Sequence, residues 1–166
     1  MKKMKFKTKL GITNKTADDY FVVFLDIDGI DGIKANTKYV FEELKELQKK
    51  YFLSDFYVVK TRHGYHAICL DKFSCNRFIY ALYGTFPYGC KQHRAIGLKR
   101  GRYTLAFDCD NKKYRVIKSV FGCMIRQKSN AHRILLNSIY GFNIEKDAFF
   151  DDLTYLDFEA FNKKEE

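Results

Sequence analysis

A single proline, Pro87, in 166 residues leaves little room for an extended linker. No apolar run approaches the length of a membrane span. The opening Met1-Lys2-Lys3-Met4-Lys5-Phe6-Lys7 is charged with no apolar stretch behind it, so it does not read as a secretory leader. The five cysteines (Cys69, Cys75, Cys90, Cys109 and Cys123) are odd in number and not tightly paired. That pattern argues against a disulfide scaffold and for a reduced, cytoplasmic protein. Acids are the scarcer charge: twenty Asp and Glu against thirty Lys and Arg give +10 and a pI near 9.3. Such a balance favours an anionic partner, of which nucleic acid is the commonest for a chain without a membrane segment. The plain alternative is a protein that is basic only because its genome favours lysine codons.

The length fits one domain over residues 1–166, and a hydrophobic fraction of 46% with 17% aromatics is globular composition. Residues 1–19 form a basic arm or a ragged first strand. Residues 145–166 are an acidic and aromatic tail, with Asp147, Asp151, Asp152, Asp157 and Glu159 among Phe149, Phe150, Tyr155, Phe158 and Phe161. The tail is expected to pack its aromatics on the domain.

The central stretch is Tyr20-Phe21-Val22-Val23-Phe24-Leu25-Asp26-Ile27-Asp28-Gly29. Its apolar run, rich in Val and Phe, reads as a buried strand. Residues i and i+2 of a strand share a face, so Asp26 and Asp28 converge. Two converging carboxylates repel, and a divalent cation relieves the repulsion. Solvated acids at a strand end are the bland alternative. From Thr37 to Phe52, Val40, Phe41, Leu44, Leu47 and Tyr51 fall at helical spacing among charges, which predicts an amphipathic helix. Phe56–Thr61 and Tyr65–Leu70 then read as an antiparallel hairpin closed by Arg62-His63-Gly64. His66 shares a face with Ile68 and Leu70. Lys60, Arg62 and Gly64 nearby make a setting suited to an anion.

Strand, helix and hairpin in this order, with Leu25-Asp26-Ile27-Asp28 followed by Lys60-Thr61-Arg62-His63-Gly64-Tyr65-His66, resemble the archaeo-eukaryotic primase superfamily, which includes plasmid and viral primase-polymerases. The resemblance covers roughly the first two-thirds of the chain. It implies an α+β fold: a small sheet, antiparallel or mixed, like an RNA-recognition module, with flanking helices. It implies a nucleotidyltransferase working on a nucleic-acid template, DNA ahead of RNA, with nucleoside triphosphates as substrates. Asp26 and Asp28 would hold Mg²⁺ or Mn²⁺, and His66 would contact the incoming phosphates. A separate helicase or replication factor is a further expected partner; a membrane is not.

The family's third motif supplies one more acid, but Lys91 and Gln92 stand at that place here. Asp108, with Asp110 behind it, is the candidate substitute metal ligand; Asp108-Cys109-Asp110-Asn111 also reads, and somewhat better, as a hairpin turn between Tyr103–Phe107 and Tyr114–Val120. The dense basic stretch from His93 to Tyr103 offers Lys99 and Arg100 to triphosphate or template and Arg94, Arg102 and Tyr103 to nucleic acid; its glycines let backbone approach phosphate. Lys60 and Arg62 are further phosphate candidates. Cys90-Lys91-Gln92-His93 has metal-ligand types, but zinc would need two more ligands, and no second tight pair exists, so zinc is not expected. Lys72–Phe86 and Ala131–Tyr140 read as helices, the second with Ile134, Leu135 and Ile139 inward and His132 and Arg133 at a basic entry.

Two other readings compete. One is a non-catalytic replication-initiation or DNA-binding module of the same fold. The other is a phosphatase of the haloacid dehalogenase type, which also begins with a strand and Asp-x-Asp-Gly but needs parallel strands with crossover helices.

Overall fold

The computed structural model describes residues 6–30, 33–61, 63–107, 115–120, 122 and 125–164. The architecture is α+β. Strand β1 (Phe6–Thr16) turns at Ala17–Tyr20 into β2 (Phe21–Ile27), whose Val22, Val23, Phe24 and Leu25 are wholly buried. Two short strands, β3 (Gly29–Ile30) and β4 (Ile33–Lys34), follow, then helix α1 (Thr37–Tyr51). Asn36 caps α1 by accepting from the Lys38 amide, and Val40, Leu44 and Leu47, spaced i, i+4, i+7, are its buried stripe. Strand β5 (Phe56–Lys60) leads through a tight turn, where Thr61 donates its amide to the Gly64 carbonyl, into β6 (Tyr65–Phe73). Helices α2 (Asn76–Gly84) and α3 (Lys91–Arg100) come next, then β7 (Thr104–Phe107), β8 (Arg115–Val120), α4 (Asn130–Tyr140) and β9 (Leu156–Lys164).

The main sheet has seven strands in the order β7-β1-β2-β6-β5-β8, with β9 also paired to β1. Every pair in it is antiparallel. Strand β6 is inserted between β2 and β5, so β2-α1-β5 is a split β-α-β unit. All nine residues of β6 are buried, which is why its sequence shows no alternation. The antiparallel pairing is the reverse of what the phosphatase reading requires.

Tertiary pairing decides several expectations. Of the two readings of residues 1–19, a basic arm or a first strand, the strand holds: β1 has eleven residues and pairs on both edges, with β7 and β9. Strands β7 and β8 are not a hairpin: they lie at opposite ends of the sheet order, on β1 and β5. The basic stretch is not a glycine-loosened loop but helix α3, with Gly97 buried because the Tyr103 ring lies where a Cβ would stand, 2.0 Å away. Ile134, expected inward, is exposed, and Leu136 is buried in its stead. His132, expected at a basic entry, is buried as a neutral ring, donating Nε2–H to the Thr13 carbonyl and accepting at Nδ1 from the Ser129 hydroxyl. Of the tail's aromatics, Phe150 is buried while Phe149 and Tyr155 are exposed, the Phe158 and Phe161 side chains lie outside the described residues, and the Lys72 ammonium is sealed between Asp18 and Asp151. Among the described residues no helix is long and apolar enough to cross a membrane.

Candidate active site

The β2–β6 ladder fixes the first contact. Its register sets Asp26 directly opposite His66, so the two side chains share one face of the sheet. His66 Nε2 lies 3.5 Å from Asp26 Oδ1; the imidazole side chain is 11% exposed and the carboxylate 28%. Phe24, on the same face as Asp26, packs edge-on against the His132 ring of α4 at 5.6 Å, so α4 covers this face next to the acid. Gly64 permits the close approach of the hairpin: a Cβ there would sit 1.9 Å from the Ile27 carbonyl oxygen.

The chain between α2 and α3 brings in Cys90, a ligand type the sequence offered only in a Cys90–His93 spacing for zinc and not beside the two acids. Tyr88–Cys90 runs along the end of β2: the Asp28 amide donates to the Tyr88 carbonyl (3.2 Å), the Cys90 amide donates to the Asp26 carbonyl (2.7 Å), and Ile27 bridges Gly89. This pairing carries Cys90 to the acids. One ligand atom each from Asp26, Asp28 and Cys90 lie within 4.8 Å of one another. Cys90 is the N-cap of α3, its sulfur accepting from the His93 amide. Burial pushes the Cys90 thiol up, and Asp28 and Asp26 push it further, against the His93 amide. Two carboxylate oxygens and a sulfur are ligand types that a divalent cation could use together.

A buried relay holds the backbone of this cluster. The Asp26 amide donates to the Tyr83 hydroxyl (2.9 Å), which also lies 2.9 Å from the Asp26 carbonyl and 3.0 Å from His93 Nδ1. His93 Nε2 donates to the Thr104 carbonyl (2.9 Å), so in the neutral ring Nδ1 is an acceptor and shares the single Tyr83 hydroxyl proton with the Asp26 carbonyl. Burial holds the imidazole pKa below its ordinary value, against the Thr104 carbonyl and Asp28. Burial and the nearby Asp26 charge drive the Tyr83 phenol far up, so it stays a neutral donor. With both ring nitrogens engaged, His93 positions the site and is not placed to ligate zinc beside Cys90.

The other expected residues are dispersed. Lys60 is exposed at the end of β5. Arg62 and Asp108 lie outside the described residues. Lys99 and Arg100 occupy the last turn of α3, about 14 Å along its axis from Cys90 at its start. Arg102 is exposed just beyond. Two nucleic-acid candidates have structural work: Tyr103 is fully buried, its hydroxyl donating to the Arg94 carbonyl, and the Arg94 guanidinium lies 3.8 Å over the Tyr80 ring. Burial pushes the Tyr103 phenol up to about 12. No protein-family model, curated protein or solved structure matches this chain.

Proposed function

We propose that this chain is a template-directed nucleotidyltransferase of the primase-polymerase type, with DNA as the first template to test. The observation that carries the reading is the Asp26–His66 cross-strand pair with Asp28 and Cys90 gathered beside it. The split β-α-β unit is the arrangement expected of an RNA-recognition-like core, and the acids stand at the end of its central strand. In the reaction, a primer 3′-oxygen forms a bond to the α-phosphorus of a nucleoside triphosphate. The bond to the bridging oxygen breaks, pyrophosphate leaves with the electron pair, and the hydroxyl proton passes to solvent.

Asp26, Asp28 and Cys90 would hold Mn²⁺ or Mg²⁺, which when bound neutralises charge on the phosphates and lowers the pKa of the attacking hydroxyl. His66 offers a ring nitrogen to the triphosphate from the neighbouring strand. The first amides of α3, whose cap is Cys90, point a helix N-terminus toward the same place, which favours phosphate. Tyr83 and His93 fix the Asp26 backbone and keep the cluster from spreading. Such an enzyme would act in the cytoplasm, alongside a helicase on another chain.

A second reading, a DNA-binding module without catalysis, is favoured by one observation: among the described residues a cysteine stands where a third carboxylate would complete the set. Primer extension with Mn²⁺ and labelled nucleotides separates the two. Synthesis by the wild type that is lost in Asp26→Ala, with DNA binding retained, supports the enzyme; no incorporation by the wild type under any divalent cation, or undiminished incorporation by Asp26→Ala, overturns it.

A further inference from the structure

From Phe73 to Phe107 the chain has no Asp or Glu, yet it carries Arg77, Lys91, Arg94, Lys99, Arg100 and Arg102. Helices α2 and α3, which carry most of these basic residues, pack together. Helix α3 is poorly explained as a core element. Only Gly97 is buried, and Ile96 and Leu98 are 53% and 39% exposed. Between the two helices lies an open cavity of about 400 Å³ lined by Asn76, Arg77, Tyr80, Leu98 and Gly101. That is the scale of a small-ligand pocket.

The walls have a particular chemistry. Tyr80 is an aromatic wall fixed in place, because Arg94 covers one ring face and donates Nε–H to the Tyr80 carbonyl at 3.0 Å, which leaves the ring's other face or edge to a ligand. Leu98 is an apolar neighbour and Arg77 an exposed cation at the lining. Asn76, the lining side-chain amide, is committed elsewhere: its oxygen accepts from Asn14 (3.1 Å) and its NH₂ donates to the Gly97 carbonyl (3.4 Å). The cavity therefore offers a flat apolar seat and positive charge but little to read a base edge.

We propose that this cavity takes an unpaired base of a single-stranded nucleic acid, seated against Tyr80 and Leu98, with an adjoining phosphate on Arg77. Binding is indifferent to sequence, because every base has a π-face and the amide that could discriminate is occupied. A duplex, whose bases are stacked on one another, cannot fill it. The site lies toward the C-terminal end of α3, away from Cys90 at the other end, and does not rest on the metal-cluster reading.

The test uses the whole chain in EDTA, so that the acids and Cys90 contribute no metal-bound phosphate. Fluorescence anisotropy with labelled oligo-dT, oligo-U and a blunt duplex of equal length should show the single strands bound more tightly than the duplex, with affinity falling steeply as salt rises. The two single-stranded arms tell DNA from RNA. Arg77→Glu, an exposed change, should weaken binding about tenfold or more with no shift in Tm, and irradiation of a bromouracil-substituted strand should cross-link to a peptide containing Tyr80. Equal affinity for Arg77→Glu and wild type, a duplex bound as tightly as the single strands, or a cross-link that maps away from α2 and α3 would overturn the proposal. A chain that binds single strands in this way but incorporates no nucleotide keeps this site and loses the proposed enzymatic function; the opposite result removes only this site.

Discussion

His66 stands directly across the β2–β6 ladder from Asp26, with its Nε2 3.5 Å from a carboxylate oxygen. That separation is beyond a good hydrogen bond, so the ladder, more than the pair's own attraction, sets their spacing. A backbone-fixed acid and imidazole pre-organise a site without ordering long side chains.

Replacing each member of the pair should therefore separate their duties. His66→Ala is expected to raise the apparent KM for nucleotide while leaving Mn²⁺ affinity close to wild type. Asp26→Asn should weaken Mn²⁺ binding itself. Calorimetric titration with Mn²⁺, run beside extension kinetics, checks this; equal loss of metal affinity in both variants would refute the assignment.

Gly64 is the closure point of the site. Any Cβ at this position meets the Ile27 carbonyl at 1.9 Å and must push β6 from β2. Gly64→Ala should cost about 1–3 kcal/mol in urea unfolding and loosen the Asp26–His66 register. A variant as stable as wild type would show that the hairpin closes differently.

If the cluster holds a metal as proposed, Cys90 would set its cation preference. Its sulfur beside two carboxylates should make Mn²⁺ bind more tightly than Mg²⁺, and Cd²⁺ should show a sulfur-to-metal charge-transfer band in the ultraviolet. Cys90→Asp should lose the band and move the preference toward Mg²⁺. An unchanged band in that variant means the sulfur is not a ligand.

The buried His132 ties stability to pH. Burial, with the Lys72 charge adding to it, lowers its pKa from 6.5 to about 4, against the Thr13 carbonyl and Asp151. The native state thus prefers the neutral ring. Its contribution is fully present above about pH 6.5 and is lost as pH falls toward 4, on the order of 3 kcal/mol in all. Asp71, whose carboxyl burial raises, acts in the opposite sense as acid is added. Urea unfolding between neutral and mildly acidic pH should show a steeper loss for wild type than for His132→Gln; parallel profiles would exclude the histidine as the cause.

What the sequence decided by itself is whatever local periodicity controls. The apolar run of β2, the i, i+4, i+7 stripe of α1 and the Gly64 turn each carry their structure in consecutive residues, because burial and turn geometry act over a few positions. The order strand, helix, hairpin then brought Asp26 and His66 onto neighbouring strands. Tertiary structure decided the rest. Cys90 joins the acids only because Tyr88–Cys90 hydrogen-bonds along β2, a pairing over some sixty residues that no local pattern encodes. Arg94 and Tyr103, basic and aromatic in a basic stretch, looked like nucleic-acid contacts. The packing of α3 on α2 turned one onto the Tyr80 ring and the other into the core over Gly97. The same holds for β7 and β8: adjacent in sequence, they separated to opposite edges because β1 and β5 each offered an open row of backbone donors and acceptors.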